Sequence, residues 1–272
     1  FYDHTMRDKL LREKDLEIRM EKALADGEFL VYIQPKYWVG TRALAGGEAL
    51  VRWKSPDQGF LSPGEFIPLF EKNRFIVKLD QFMFTSVCGL LRQWLDAGIE
   101  PRPLSVNVSR MQFHTPDFVE RYIRIKSQYA IPDGLLELEF TESIFFDNVA
   151  LLSSAVHELR RAGIKCSIDD FGAGYSSLNV LKALPVSVLK LDGMFFRTAK
   201  DDEQAKIVIR NIMRMAGELK MATVAEGVET HEQVAFLETT GCDIIQGYVF
   251  ARPMPAAEFT ELLAGEGGHA ER

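Results

Sequence analysis

The sequence predicts an α/β fold, a TIM-like (β/α)8 barrel with one antiparallel strand near the N-terminus. Three observations carry that expectation. Short strand-like runs alternate with helix-length amphipathic segments along most of the chain. No low-complexity linker and no internal repeat interrupts the rhythm. The first two strand-like runs are joined by the tight turn Val39-Gly40-Thr41, which makes a hairpin and sets one strand against the rest. With 272 residues, 47% of them hydrophobic, the chain is long enough to bury one large barrel core.

Taken in order, residues 6–26 form a charged helical segment. Leu16, Met20 and Leu24 recur at four-residue spacing, and Asp15 stands four residues before Arg19. We read residues 1–26 as an N-terminal linker helix, 27–265 as the barrel and 266–272 as a tail. The opening at Phe1, without an initiator methionine, reads as the start of an excised fragment. Strands are expected at 29–37, 43–53, 104–108, 135–140, 165–168, 186–191, 222–225 and 244–245. Helices are expected at 66–71, 79–96, 150–162, 203–219 and 231–239, with Phe66, Phe70 and Phe75 packing a core.

The formal charge of −7 argues against a duplex DNA or RNA binder, which would present a basic stripe. An acidic chain still takes a phosphate substrate when cations stand between carboxylates and phosphates. Cys88, Cys166 and Cys242 lack metal-ligand spacing and read as small buried hydrophobes in a reducing cytoplasm. The five histidines show no ligand spacing either, and read as surface or helix residues. No run is long and apolar enough to span a bilayer, and the first twenty residues do not resemble a signal peptide.

The informative feature is where the strands turn polar. Ser105 and Asn107 share one strand face, as do Glu137 and Glu139, Ser167 and Asp169, Val188 and Lys190, and Glu48 and Arg52. Collected at strand ends, Glu48, Asn107, Glu139, Asp169, Lys190, Glu226 and Gln246 converge on one barrel mouth, with Glu142 and Asp170 just beyond. Six carboxylates in one small volume require cations to neutralise them. Oxygen donors with one amide suit Mg²⁺ or Mn²⁺, with Ca²⁺ as a competitor. Asp80 is a further candidate, facing the pocket if its helix starts near the mouth and otherwise simply complementing the helix dipole.

Over residues 25–262 the chain resembles the EAL phosphodiesterase family. The signature reads Glu48-Ala49-Leu50-Val51-Arg52-Trp53, preceded by Gln34-Pro35-Lys36. Then follow, in order, Asn107-Val108-Ser109, Glu139-Phe140-Thr141-Glu142, the Asp169-Asp170-Phe171-Gly172-Ala173-Gly174 block, Lys190-Leu191-Asp192, Ala225-Glu226-Gly227 and Gln246-Gly247-Tyr248. Ala173 stands where the family often has threonine, and Phe140 where it often has isoleucine or leucine.

The resemblance implies hydrolysis of cyclic di-GMP to linear 5′-pGpG with two Mg²⁺ or Mn²⁺ ions, Ca²⁺ being inhibitory. Two such ions, about 3.5–4 Å apart, activate a shared water. Glu48, Asn107, Glu139 and Asp169 are implied to ligate one metal, and Asp169, Asp170 and Glu226 the second. Lys190 is implied to contact the attacking water, with either Lys190 or Glu226 as formal base, and Gln246 to orient water or phosphate. Gln34, Arg52 and Asp80 stand as substrate contacts, and Glu142 as the anchor of the 169–178 loop. The resemblance further implies a homodimer through that loop region and an upstream GGDEF or sensor domain. The other reading is a catalytically idle receptor for the dinucleotide; the intact ligand set favours the enzyme.

Overall fold

The computed structural model of the protein describes residues 4–141, 144, 149–172, 181, 184–198 and 202–267. After helix α1 (His4–Ala25) come strands β1 (Phe29–Trp38), β2 (Leu44–Ser55) and β3 (Gly59–Leu61), then helices α2 (Pro63–Lys72) and α3 (Ile76–Asp96). Alternation begins with β4 (Leu104–Asn107), α4 (Phe118–Gln128), β5 (Leu136–Thr141), α5 (Val149–Arg161) and β6 (Lys165–Phe171). It continues with β7 (Val188–Leu191), α6 (Met194–Thr198), α7 (Glu203–Glu218), β8 (Ala222–Ala225), α8 (His231–Glu238) and β9 (Ile244–Gln246). The short β10 (Met254–Pro255) and α9 (Ala256–Gly267) follow.

The strands form one sheet in the order β10-β1-β9-β8-β7-β6-β5-β4-β2-β3, and pairing of β1 with β2 closes it into an eight-stranded barrel. Strands β2 and β4 to β9 run parallel around the ring. β1 alone runs against both its neighbours, β2 and β9. The hairpin read from Val39-Gly40-Thr41 therefore makes β1 the single antiparallel stave of a (β/α)8 barrel.

Alternation along each strand sorts the residues into two layers. Leu104, Val106, Leu136, Leu138, Phe140, Cys166, Ile168, Leu189 and Leu191 are buried in the apolar cluster shared with the surrounding helices. Burial of each such side chain stabilises by roughly 1.5–3 kcal/mol. The alternate set, among them Ser105, Glu137, Glu139, Ser167, Asp169 and Lys190, is also buried. Its members meet one another across the barrel, so the interior of the ring is polar.

β1 and β2 rise beyond the ring, and a second apolar cluster covers their extension. Leu16 and Ala23 of α1, Phe29, Trp53, Leu61, and Phe66, Leu69 and Phe70 of α2 form it with Phe75, Ile76 and Leu79. The stripe predicted on the first helix is the face that docks there, Leu16 buried, with Met20 and Leu24 packed at the edge. Arg19 fastens α1 to the hairpin, donating to Ser55 Oγ at 2.6 Å, while Trp53 Nε1 donates to Glu28 Oε2 at 2.8 Å.

The expected bounds shift for local reasons. α2 begins at Pro63, whose fixed φ suits a first helical turn, and Ser62 N donates to Glu65 Oε1 at 3.3 Å in front of it. β2 runs past the expected end at 53 because Trp53, Lys54 and Ser55 pair with β3. All three cysteines are buried and free, and His114, His157 and His231 are exposed. No helix among the described residues is long and apolar enough to cross a membrane.

Candidate active site

The parallel strands bring their C-terminal ends to one mouth, and there the polar residues meet around Lys190. Its Nζ lies 3.0 Å from Asp169 Oδ1, 2.7 Å from Glu226 Oε1 and 3.7 Å from Glu48 Oε2, and it also donates to Glu139 Oε2. Lys190 has no solvent exposure, and among the described residues its charge is held by this ring. Burial works against the ammonium, but Asp169, Glu139, Glu226 and Glu48 together hold its pKa well above the ordinary value.

Two amides brace Glu48. Asn107 Nδ2 donates to its Oε1 and Gln246 Nε2 to its Oε2, both at 2.6 Å. Gln246 also donates to Gln34 Oε1 at 3.2 Å, and Gln34 Nε2 reaches Ala251 O at 3.3 Å. Asp169, Asp170 and Glu226 each offer a carboxylate oxygen within 4.8 Å of the others. Asp170 stands in the left-handed region at φ 54°, and its N–H donates to Asp169 Oδ1 at 3.0 Å. That left-handed backbone accompanies two successive carboxylates brought near Glu226.

The electrostatics show what this donor set lacks. Glu139 is driven up by burial, but Lys190 and Lys36 overrule it and bring its carboxyl down to about 2. The other acids go the opposite way. Burial, then Glu139, raises Glu48; burial raises Glu226 well above its usual range despite Lys190; burial and Asp169 push Asp170 up to about 6. Two ammonium groups do not neutralise five carboxylates, so protons are retained where positive charge is short. Clustered hard oxygen donors with an uncompensated negative charge fit Mg²⁺ or Mn²⁺. Among the described residues Gln246 Oε1 is buried without a hydrogen-bond partner, one more acceptor left over at the same place.

The structure thus brings together Glu48, Asn107, Glu139, Asp169, Asp170, Lys190, Glu226 and Gln246, with Gln34 beside them. Arg52 sits further along β2, its guanidinium 5.6 Å from the centre of the Tyr32 ring and its Nη1 donating to Val51 O at 2.9 Å. Asp80, on α3, is buried; its Oδ2 accepts from Ser109 N at 3.0 Å and Gln112 Nε2 at 3.2 Å, which fastens the segment that follows Asn107. Glu142 and residues 173–178 of the loop lie outside the described residues.

One participant went unread in the sequence. Lys36 Nζ lies 2.9 Å from Glu139 Oε1 and 2.7 Å from Ser105 Oγ, inside the ring. Alternation with Gln34 on β1 was the available signal, because both must face the same way.

Comparison with known proteins adds a lineage. The EAL domain family model matches residues 18–253. A cyclic di-GMP phosphodiesterase of Pseudomonas aeruginosa is 38% identical over 238 residues, covering 88% of this chain and 40% of that protein. The bifunctional diguanylate cyclase/cyclic di-GMP phosphodiesterase MucR of the same organism is 33% identical over 264 residues, covering 97% of this chain and 38% of MucR. Among solved structures, the PaMucR phosphodiesterase in its c-di-GMP complex matches with a TM-score of 0.84 at 35% identity, covering 90% of this chain and 99% of that one. The chain spans 40% or less of the length of these curated relatives.

Proposed function

The chain belongs to the EAL domain family, and on that premise we propose that it is a cation-dependent phosphodiesterase opening cyclic di-GMP to linear 5′-pGpG. The observation that carries this reading is the ring of Glu48, Glu139, Asp169 and Glu226 around Lys190, with more carboxylate than the lysines neutralise. Glu48, Asn107, Glu139 and Asp169 would hold one Mg²⁺ or Mn²⁺, and Asp169, Asp170 and Glu226 a second. When bound, such a pair supplies Lewis acidity to the phosphate and lowers the pKa of water between them. Ca²⁺, which prefers more ligands at longer distances, is expected to occupy the centre and inhibit.

The chain's own groups do the rest. With no cation bound, Lys190 is held as an ammonium by its four carboxylates. Its part is to orient the attacking water by charge. Glu226, at the edge of the ring with its side chain 15% exposed, keeps its own proton while no cation answers its charge, and with the cations bound it would be free to take the proton from that water. Gln246 and Asn107 hold Glu48 in place, with Gln34 behind Gln246; Gln246 is assigned to orient water or phosphate and Gln34 to line the pocket. Arg52, preset over Tyr32, is offered to a substrate phosphate or guanine, and Asp80 steadies the wall behind Asn107 and stands as a further substrate contact.

The test is direct. The purified chain, freed of metal and given Mn²⁺ or Mg²⁺, should convert cyclic di-GMP to pGpG on chromatography, and chelation should stop it. Nucleotide retained but never cleaved, at any concentration of either ion, would assign an idle receptor instead. Since the relatives are longer, we further propose an upstream GGDEF or sensor domain in the parent protein and a homodimer through the 169–178 region. The buried thiols suit a reducing compartment, and we place the reaction in the cytoplasm.

A further inference from the structure

We propose that Lys36 is a fixed counter-charge within the acidic cluster, one that weakens its hold on divalent cations and so keeps them exchangeable. The inference rests on reading the cluster as a cation centre, as above. Lys36 enters from β1, the strand that runs against the others, two residues beyond Gln34, which registers with Glu48. Its ammonium is buried and ion-pairs with Glu139 Oε1 at 2.9 Å, while its other contact is Ser105 Oγ at 2.7 Å. Lys190 takes the second oxygen of the same carboxylate. Glu139, itself fully buried, therefore carries an ammonium on each oxygen.

The two lysines differ in what they are free to do. Lys190 is shared among four carboxylates and stands amid the donor set. Lys36 makes its one ion pair, among the described residues, with Glu139. Its position is set by the barrel strand that bears it and by the serine beside it. Water does not screen a charge at this depth, so its repulsion of a divalent ion at the same carboxylate persists over several ångströms. A carboxylate whose charge is already answered twice also offers less to an incoming cation than a free one. A purely structural Lys36 would loosen Glu139 when removed and lower cation affinity. A counter-charge raises it. The two roles differ in sign.

The experiment is calorimetric titration of Mn²⁺ into metal-stripped wild type, K36M, K36Q and K36R, with melting curves in EDTA to report folding. K36Q keeps a hydrogen-bond donor for Glu139 or Ser105 and removes the charge, so it decides the matter if K36M does not fold. Both neutral variants are expected to bind Mn²⁺ about tenfold tighter or more, and K36R close to wild type. Equal or weaker affinity in a folded neutral variant overturns the proposal, as does failure of both to fold even in saturating Mn²⁺. If the wild type itself takes up no Mn²⁺, the cation reading fails and this inference falls with it. Uptake that the substitutions leave unchanged sinks the role of Lys36 alone. Turnover is not needed for any of these readouts.

Discussion

Lys190 is the residue whose removal the acidic ring tolerates least. K190A strands Glu139, Asp169 and Glu226 without their nearest cation, and breaking a buried pair this way typically costs about 3–5 kcal/mol. We expect a lower melting temperature in EDTA, partial recovery with Mn²⁺, and turnover lost while dinucleotide binding persists. Chemistry retained with binding abolished would reverse the assignment. E48A removes a carboxylate from the crowd, so we expect turnover to vanish with little change in metal-free stability, read by the product assay beside a melt. Asp80 gives the residue-scale pH dependence. Burial raises its carboxyl to about 7, against backbone and side-chain donation from Ser109 and Gln112, with Glu71 of α2 pushing the same way as burial. Tyr122 of α4 also feels its charge. The unfolded carboxyl titrates near 4. The folded state thus binds the extra proton between those values, so this group's effect is absent below about pH 4 and stability declines as pH rises toward 7. D80N keeps an acceptor and removes the charge. It should stabilise by about 2–4 kcal/mol at pH 8 and change little at pH 4, measured by urea unfolding in EDTA. A gain equal at both pH values would show that Asp80 ionisation is not the cause. Much of this residue-level detail was legible beforehand, because period-two alternation placed Asn107, Glu139 and Lys190 on inward faces. Lys36 was passed over although alternation with Gln34 put it on the inward face, since a lysine in a strand is by habit an exposed residue and its partners Glu139 and Ser105, distant in sequence, are what explain its burial.

At the scale of elements, the turn after β6 depends on one absent side chain. Gly172 has φ +93°, and a Cβ there would lie 2.2 Å from the Phe195 ring of α6. G172A should therefore both strain the backbone and displace α6, destabilising by about 2 kcal/mol or more and loosening the Asp169–Asp170 turn. F195A alone costs packing, yet the double variant should lose less than the two singles together, a coupling that a thermodynamic cycle measures. Additive losses would mean the contact is not what constrains the turn. Element identity was readable wherever a strand alternated or a helix repeated its stripe. What escaped were pieces defined by pairing partners. β3 is three residues that become a strand only against Trp53, Lys54 and Ser55, and β10 is a pair of residues fixed by Tyr32 and Ile33 of β1. Neither has a pattern of its own long enough to show periodicity.

For the whole molecule, a cation that binds only the folded barrel stabilises all of it. Mn²⁺ at about a hundred times its dissociation constant should add about 2.7 kcal/mol, EDTA should remove that increment, and E48A should abolish most of the shift. A melting temperature indifferent to Mn²⁺ would argue that no such centre forms. The closed (β/α)8 ring was legible as a whole from the alternation of its units and the early hairpin; the outer aromatic cluster that joins α1 and α2 to the hairpin was legible only in part, through Leu16, Met20 and Leu24. Closure itself has a further consequence. The ring is sealed where β1 meets β9, three registered residue pairs joining Lys36, Tyr37 and Trp38 to Gln246, Ile245 and Ile244. Gln246 reaches Gln34 and Glu48 across that seam, contacts 212 and 198 residues apart along the chain. A ribosome has delivered most of this domain before Glu226 and Gln246 emerge, so a nascent chain or a prematurely terminated one holds only fragments of the donor set.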